Sequence, residues 1–166
     1  FMMRLSEEYV YSELPELQHN GIRIQHMGRR VGLPKSLLFA LDNVISKTRA
    51  NNKLVLNPAL NDGGRGEITD AIRAIIAAHQ CNELNASELT PADFARYLYC
   101  LHIPDADLIS RIGGNWCLSN FLLWRAVETV LWSTPTLWSD FQSEHLLEAI
   151  EIYQEQLNQY EIQPET

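Results

Sequence analysis

The sequence predicts an α/β fold, a parallel sheet flanked by helices, and three observations carry that prediction. Two junctions repeat one order of strand, glycine turn and helix: residues 53–57 leading into Asn61-Asp62-Gly63-Gly64-Arg65-Gly66-Glu67, and residues 108–112 leading into Gly113-Gly114 and the segment that begins at Ser119. The stretches between them carry apolar residues at helical spacing. Alternating strands and helices build parallel sheets, and ligand groups then gather at the carboxyl ends of the strands.

Taken in order, residues 1–17 read as a helix with Phe1, Leu5, Tyr9 and Leu14 on related faces and Pro15 tolerated near its end. No capping residue precedes Phe1, which predicts further residues upstream. Asn20-Gly21 is a stop signal. Residues 22–27 alternate apolar and polar, the period of a strand. Arg29 and Arg30 sit in the loop that follows, read as solvated charge. Pro34 opens a helix whose buried face is Leu37, Leu38, Leu41, Val44 and Ile45. Residues 53–57 are apolar enough for a central strand. The helix after Gly64 carries Ile68, Ala71, Ile72, Ile75 and Ile76. Residues 82–87 are polar loop. Thr90-Pro91-Ala92-Asp93 is a helix start with Thr90 as cap, and Phe94, Tyr97, Leu98 and Leu101 follow at helical spacing. Residues 108–112 form a strand, 121–131 an apolar helix, and 132–138 an aromatic-rich connector. Ser143 caps a last helix with Leu146, Leu147, Ile150, Tyr153 and Leu157 on one face, and the tail from Gln163 frays.

Size and charge narrow the functions. The 166 residues make one domain, 1–166, 46% hydrophobic and 20% charged. A formal net charge of -8 repels nucleic acid and anionic membranes, which leaves at most peripheral membrane contact. Cys81, Cys100 and Cys117 are odd in number and lack C-x-x-C spacing. They fit a reducing, cytoplasmic setting better than a disulfide framework. His79 and His102 have no partners at metal-ligand spacing.

The second junction carries the chemistry. Gly113-Gly114 lets the chain turn, and Ser119 or Asn120 is placed to cap the helix beginning at Phe121, so that backbone N–H groups face an anion. Arg111 adds a planar donor fork suited to phosphate. An ordinary strand-to-helix connection with a surface arginine is the competing reading. At the first junction Asn61, Asp62 and Arg65 are candidates for the same edge, against the alternative that Arg65 and Glu67 brace the turn.

These motifs together resemble the cis-prenyltransferase family of the undecaprenyl diphosphate synthase type. The family writes Asn-Tyr-Gly-Gly-Arg where this chain has Asn61-Asp62-Gly63-Gly64-Arg65. It writes Asp-Leu-Ile-Ile-Arg, a glycine pair, and then Ser-Asn-Phe-Leu-Leu-Trp, where this chain has Asp107 to Arg111, Gly113-Gly114 and Ser119 to Trp124. Leu137-Trp138-Ser139-Asp140-Phe141 matches its Leu-Trp-Pro-Asp-Phe. Glu13 to Leu17 and Gly21-Ile22-Arg23 also fit.

The resemblance implies an undecaprenyl diphosphate synthase-like sheet without its N-terminal strands, and assembly as a homodimer or as a heterodimer with a family member. It implies isoprenoid diphosphates as substrates and magnesium as cofactor: an allylic diphosphate ionises and isopentenyl diphosphate attacks its C1. Arg111 and Ser119 match positions that hold the diphosphate of isopentenyl diphosphate; Asn61, Arg65, Gly113, Gly114 and Asn120 lie at the site's edge. The departures matter equally. The resemblance places the family's metal-binding aspartate block before Phe1. Its second diphosphate arginine falls on Cys117, its glutamate after Gly-Gly on Asn115, and its metal-associated glutamate on Val130. Its basic C-terminal run falls on residues 156–161, which carry no positive charge. Three functions follow as expectations: a transferase completed by residues outside this sequence, a catalytically degenerate partner subunit, or a phosphate binder using Arg111 and Ser119 alone.

Overall fold

Pro15 starts a helix here instead of ending one. In the computed structural model, which describes residues 11–162 and side chains through residue 158, the backbone is helical at Tyr11 and Ser12 and bends at Glu13. A short helix α1 (Leu14–His19) then begins with Pro15 in its first turn, where a missing N–H costs nothing. The expected single helix is therefore interrupted. Its first ten residues, and the tail from Gln163, lie outside the described residues.

The chain divides into two compact units, Phe1–His102 and Ile103–Thr166. In the first, β1 (Ile22–Ile24) leads through α2 (Lys35–Thr48) to β2 (Leu54–Leu56). The two strands pair in parallel, Ile22 beside Leu54 and Ile24 beside Leu56, and a bridge from Met27 to Ala59 extends the pairing. The α2 stripe is Leu37, Ala40, Leu41, Val44 and Thr48, all buried, at the spacing that puts one helix face against a core. Leu33, Leu37 and Leu41 form its centre with Leu38, Ile45 and Leu60 packed around them. Each buried leucine contributes roughly 2–3 kcal/mol of transfer free energy.

β2 departs from the expected central strand. Leu54, Val55 and Leu56 are all exposed, and β1 is its one described neighbour. Apolarity tells what a strand tolerates; it does not tell which neighbours cover it. α3 (Gly64–Gln80) forms where expected. It buries Gly64, Glu67, Ala71 and Ile75 and leaves Ile72 and Ile76 exposed. The polar stretch before Thr90 contains a 3-10 turn, Ala86–Glu88. Thr90 then makes a complete capping box with Asp93. The helix it starts, α4 (Pro91–Ala95), lasts five residues. Turns replace the expected continuation, and Cys100 takes a left-handed φ of 52°, which a helix does not admit.

In the second unit, β3 (Leu108–Ile112) and β4 (Val130–Thr134) pair in parallel, Leu108 beside Val130 and Arg111 beside Ser133. β4 occupies the place where the end of a helix and a connector are expected. Its alternation is clear in the structure: Val130, Trp132 and Thr134 are buried, while Leu131 and Ser133 are less so. A 3-10 turn, Trp138–Asp140, follows. α5 (Ser143–Ile162) packs against both strands. Its innermost residue is Ala149, fully buried, whereas Leu146, Leu147 and Leu157 are exposed. The buried seam is thus centred on a small residue, which lets the helix approach the strands closely. No helix among the described residues is long and apolar enough to cross a membrane.

Candidate functional site

Arg111 sits next to the last residue of β3, directly before the glycine turn. Its Nε is buried and has no hydrogen-bond partner among the described residues. A buried guanidinium N–H without an acceptor is costly, and an arriving anion would relieve that cost. Gly113 and Gly114 turn with φ of 89° and 80°, as their lack of Cβ permits.

The turn's amides are committed elsewhere. Gly113 N–H donates to Thr136 O at 2.9 Å and Gly114 N–H to Thr134 O at 2.8 Å. They lock the turn onto the end of β4, so the expected cradle of free glycine amides does not form.

The expected capped helix also does not form. Residues 119–128 are turns and bends. Ser119, Asn120 and Leu122 all have left-handed backbone, with φ of 52°, 64° and 49°, and three such residues within four positions exclude a right-handed helix. The segment is held by turn bonds, Phe121 N to Leu118 O and Arg125 N to Leu122 O, both 3.0 Å. Buried Arg125 anchors it by donating from Nη1 to Ile103 O at 2.5 Å. Ser119 therefore offers an exposed hydroxyl without a helix terminus behind it. Asn120 is exposed, and so are Asn115 and Cys117.

In the first unit, Asn61 has a structural task. Its Nδ2 donates to Arg29 O at 3.2 Å and to Val31 O at 2.9 Å, and its own backbone is left-handed with φ 54°. Arg65 is exposed. Glu67 is 2% exposed and accepts from Tyr99 N at 2.9 Å, which ties the start of α3 to the segment after α4 and not to the turn. Asp62 lies beside them with one buried carboxylate oxygen, Oδ1, lacking a partner. Burial pushes its pKa up, against the lowering influence of the Gly63 N–H and of nearby His26.

A network invisible in the sequence lies behind this junction. Arg29 clamps Asp70 with two bonds of 2.6 and 2.9 Å, Tyr99 OH donates to Asp70 at 2.5 Å, and Arg29 Nη2 also donates to Gly66 O at 3.1 Å. The Arg29 guanidinium, then the Tyr99 hydroxyl, hold Asp70 down to a pKa of about 2. Burial and the same carboxylate push Tyr99 up to about 12. The Asp70 value lies below its ordinary 3.8, so its contribution to stability is complete above that pH and is lost as pH falls through 2. Solvent screening limits it to about 1 kcal/mol. Asp70→Asn is expected to flatten the acid limb of the stability curve between about pH 4 and pH 2, read by urea midpoints across that range. An unchanged limb would show that the clamp contributes nothing.

The described residues supply no cage that would hold magnesium by itself: among them no three His, Cys, Asp or Glu side chains gather where one ion could be held, and an ion kept by one or two carboxylates would need the substrate's phosphates to complete it. Val130, at the position of the family's glutamate, is hydrocarbon buried in β4. The three cysteines form no disulfide, and Cys100 Sγ donates to His26 O at 3.1 Å.

Comparison with known proteins bears on the whole chain. Residues 1–161 match the family model described as "Putative undecaprenyl diphosphate synthase". The chain is 41% identical over 147 residues to an isoprenyl transferase of Heliobacterium mobile, covering 89% of this chain and 56% of that protein. It is 40% identical over 156 residues to one of Clostridium acetobutylicum, covering 92% and 61% respectively. The chain thus spans about three fifths of the length of these relatives. Among solved structures, lavandulyl diphosphate synthase from Lavandula x intermedia, crystallised with dimethylallyl diphosphate, superposes with a TM-score of 0.88 at 30% identity, covering 92% of this chain and 66% of that one. The fold is shared with a probable undecaprenyl diphosphate synthase from Campylobacter jejuni, with a TM-score of 0.77, 24% identity and coverage of 93% and 70%.

Proposed function

The chain belongs to the undecaprenyl diphosphate synthase family of prenyltransferases, and from that premise we propose that it holds isopentenyl diphosphate at the carboxyl end of β3 for cis-prenyl transfer. In that reaction the C1–O bond of an allylic diphosphate breaks, the alkene of isopentenyl diphosphate bonds to C1, and a proton leaves. Arg111 supplies a fixed positive charge and a donor fork to the diphosphate. Ser119 supplies a hydroxyl donor. The observation that carries this reading is the buried, unpartnered Nε of Arg111 at the glycine turn. Asn61, Arg65, Gly113, Gly114 and Asn120 lie at the edges of the two junctions.

A second reading is favoured by what stands around Arg111. Asn115 and Cys117 are exposed and uncharged where the family places charge, and Val130 is a buried hydrocarbon. A chain so depleted suits a non-catalytic subunit that assembles with an active family member. One assay bears on both readings. The purified protein is incubated with farnesyl diphosphate, labelled isopentenyl diphosphate and magnesium, and both bound and incorporated label are counted. We expect bound label without chain extension. Turnover sensitive to Arg111→Ala would overturn the subunit reading. Absence of any bound label would overturn the isopentenyl diphosphate reading.

A further inference from the structure

The first unit carries a second basic concavity, a groove of about 400 Å³ between β1 and the carboxyl half of α2. Arg23, Gln25 and His26 line it from the strand side, and Asp42, Ser46 and Arg49 from the helix side. The helix residues recur at intervals of three and four, so they share one face. Ile24 and Ile45 give it an apolar floor.

Its charge is the unusual feature. Carboxylates outnumber cations in this chain, 21 to 13, so arginines scattered over its surface should readily meet acidic partners. Asp42, the one acidic residue lining the groove, is already held by Arg30 through bonds of 2.7 and 2.8 Å to its two oxygens. No carboxylate among the described residues pairs with Arg23 or Arg49. These two arginines lie on different elements and line one groove. His26 adds a polar ring whose orientation is fixed, since Nε2 donates to Leu60 O at 3.0 Å. The strand edge beneath is also closed to a further strand: Ile24 N donates to Thr48 Oγ1 at 3.0 Å, and Asn51 Nδ2 to Ile22 O at 2.8 Å. A β-strand partner is thereby disfavoured, and a compact anion is left as the suitable occupant.

We propose that this groove is a phosphate-binding site, separate from Arg111, which takes a terminal phosphate group between Arg23 and Arg49. Two guanidinium forks match the two charges of a phosphate monoester, and Ser46 and Gln25 supply neutral donors. The volume admits a small phosphorylated molecule or the headgroup of a phosphorylated lipid.

The test is made in the Arg111→Ala protein, so that failure of this site and failure of the Arg111 reading stay distinguishable. Inorganic phosphate is titrated in by calorimetry, and vesicles with and without phosphatidic acid are assayed by flotation. Residual phosphate binding is expected, and Arg23→Gln with Arg49→Gln should weaken it at least tenfold without lowering the melting temperature. Arg23→Lys with Arg49→Lys, which keeps charge but removes the forks, should fall between. Vesicle retention abolished by the glutamine pair would support a lipid headgroup as the source; phosphate binding without retention would support a soluble ligand. The proposal is overturned if the folded Arg111→Ala protein binds neither probe, or if the glutamine pair binds both as tightly as its parent.

Discussion

Arg111→Ala weakens pyrophosphate binding by about 1.5–3 kcal/mol, the scale of a hydrogen bond to a charged group, or roughly 10- to 150-fold in Kd. The expectation rests on position and on an unmet donor. Arg111 pairs across to Ser133 near the carboxyl end of β3, and its Nε is buried without an acceptor. That unmet donor separates function from structure. A residue needed for folding alone would cost stability when truncated. Here alanine removes an unsatisfied buried N–H, so the urea midpoint should stay within about 1 kcal/mol of the parent. Arg111→Lys should recover part of the affinity, because it keeps the charge and loses the fork. Calorimetric titration with pyrophosphate reads the first effect and urea unfolding the second. Unchanged affinity in a folded Arg111→Ala protein would remove Arg111 from the site.

Much of the fold was legible where the signal is local. β3 with its glycine pair, α2 with its apolar stripe and the Thr90 capping box all depend on residues a few positions apart. The misreadings share a different cause. Residues 121–131 carry apolar side chains at intervals a helix would accept, yet left-handed backbone at Ser119, Asn120 and Leu122 turns the chain before a helix can start. Val130 and Trp132 were absorbed into the helix and connector patterns, although in β4 they simply alternate. On α5 the spacing of leucines drew attention to Leu146 and Leu157, while fully buried Ala149 sets the seam. Periodicity counts large residues; close packing selects small ones.

The candidate site was legible in outline and not in mechanism. The Arg111 turn could be found from its own residues, because a strand, an arginine and two glycines are contiguous. What the turn does with its amides could not, since their acceptors, Thr134 and Thr136, lie about twenty residues on. Asn61 looked like a ligand group, and its amide is spent on two loop carbonyls. The Arg29–Asp70–Tyr99 network joins residues 41 and 29 positions apart, and neither Arg29 nor Asp70 has a local pattern to mark it. Arg23 and Arg49 meet at one groove for the same reason: the fold, not the spacing, brings them there.

Gly28→Ala should destabilise the protein by about 3 kcal/mol or more, because Gly28 packs directly against the first junction. Gly28 has φ 112°, and an added Cβ would collide with Leu60 O and lie 3.0 Å from Asp62 N and 3.1 Å from Asn61 C. All three atoms are backbone, so no side chain can swing aside. The loops cannot simply separate, because Leu60 N donates to Met27 O at 3.0 Å and Arg29 N to Asn61 O at 3.1 Å. Separation would also break the two bonds from Asn61 Nδ2 that hold residues 29–31. Gly32 supplies the control. Its φ is 93°, but the nearest atom to an added Cβ is Asn61 Nδ2 at 3.8 Å. Gly32→Ala therefore carries the backbone strain without the collision, roughly 1–2 kcal/mol. The difference between the two urea midpoints isolates the cost of the overlap. Equal losses would show that left-handed strain alone governs both positions, and that the close approach of the two loops does not hold the junction.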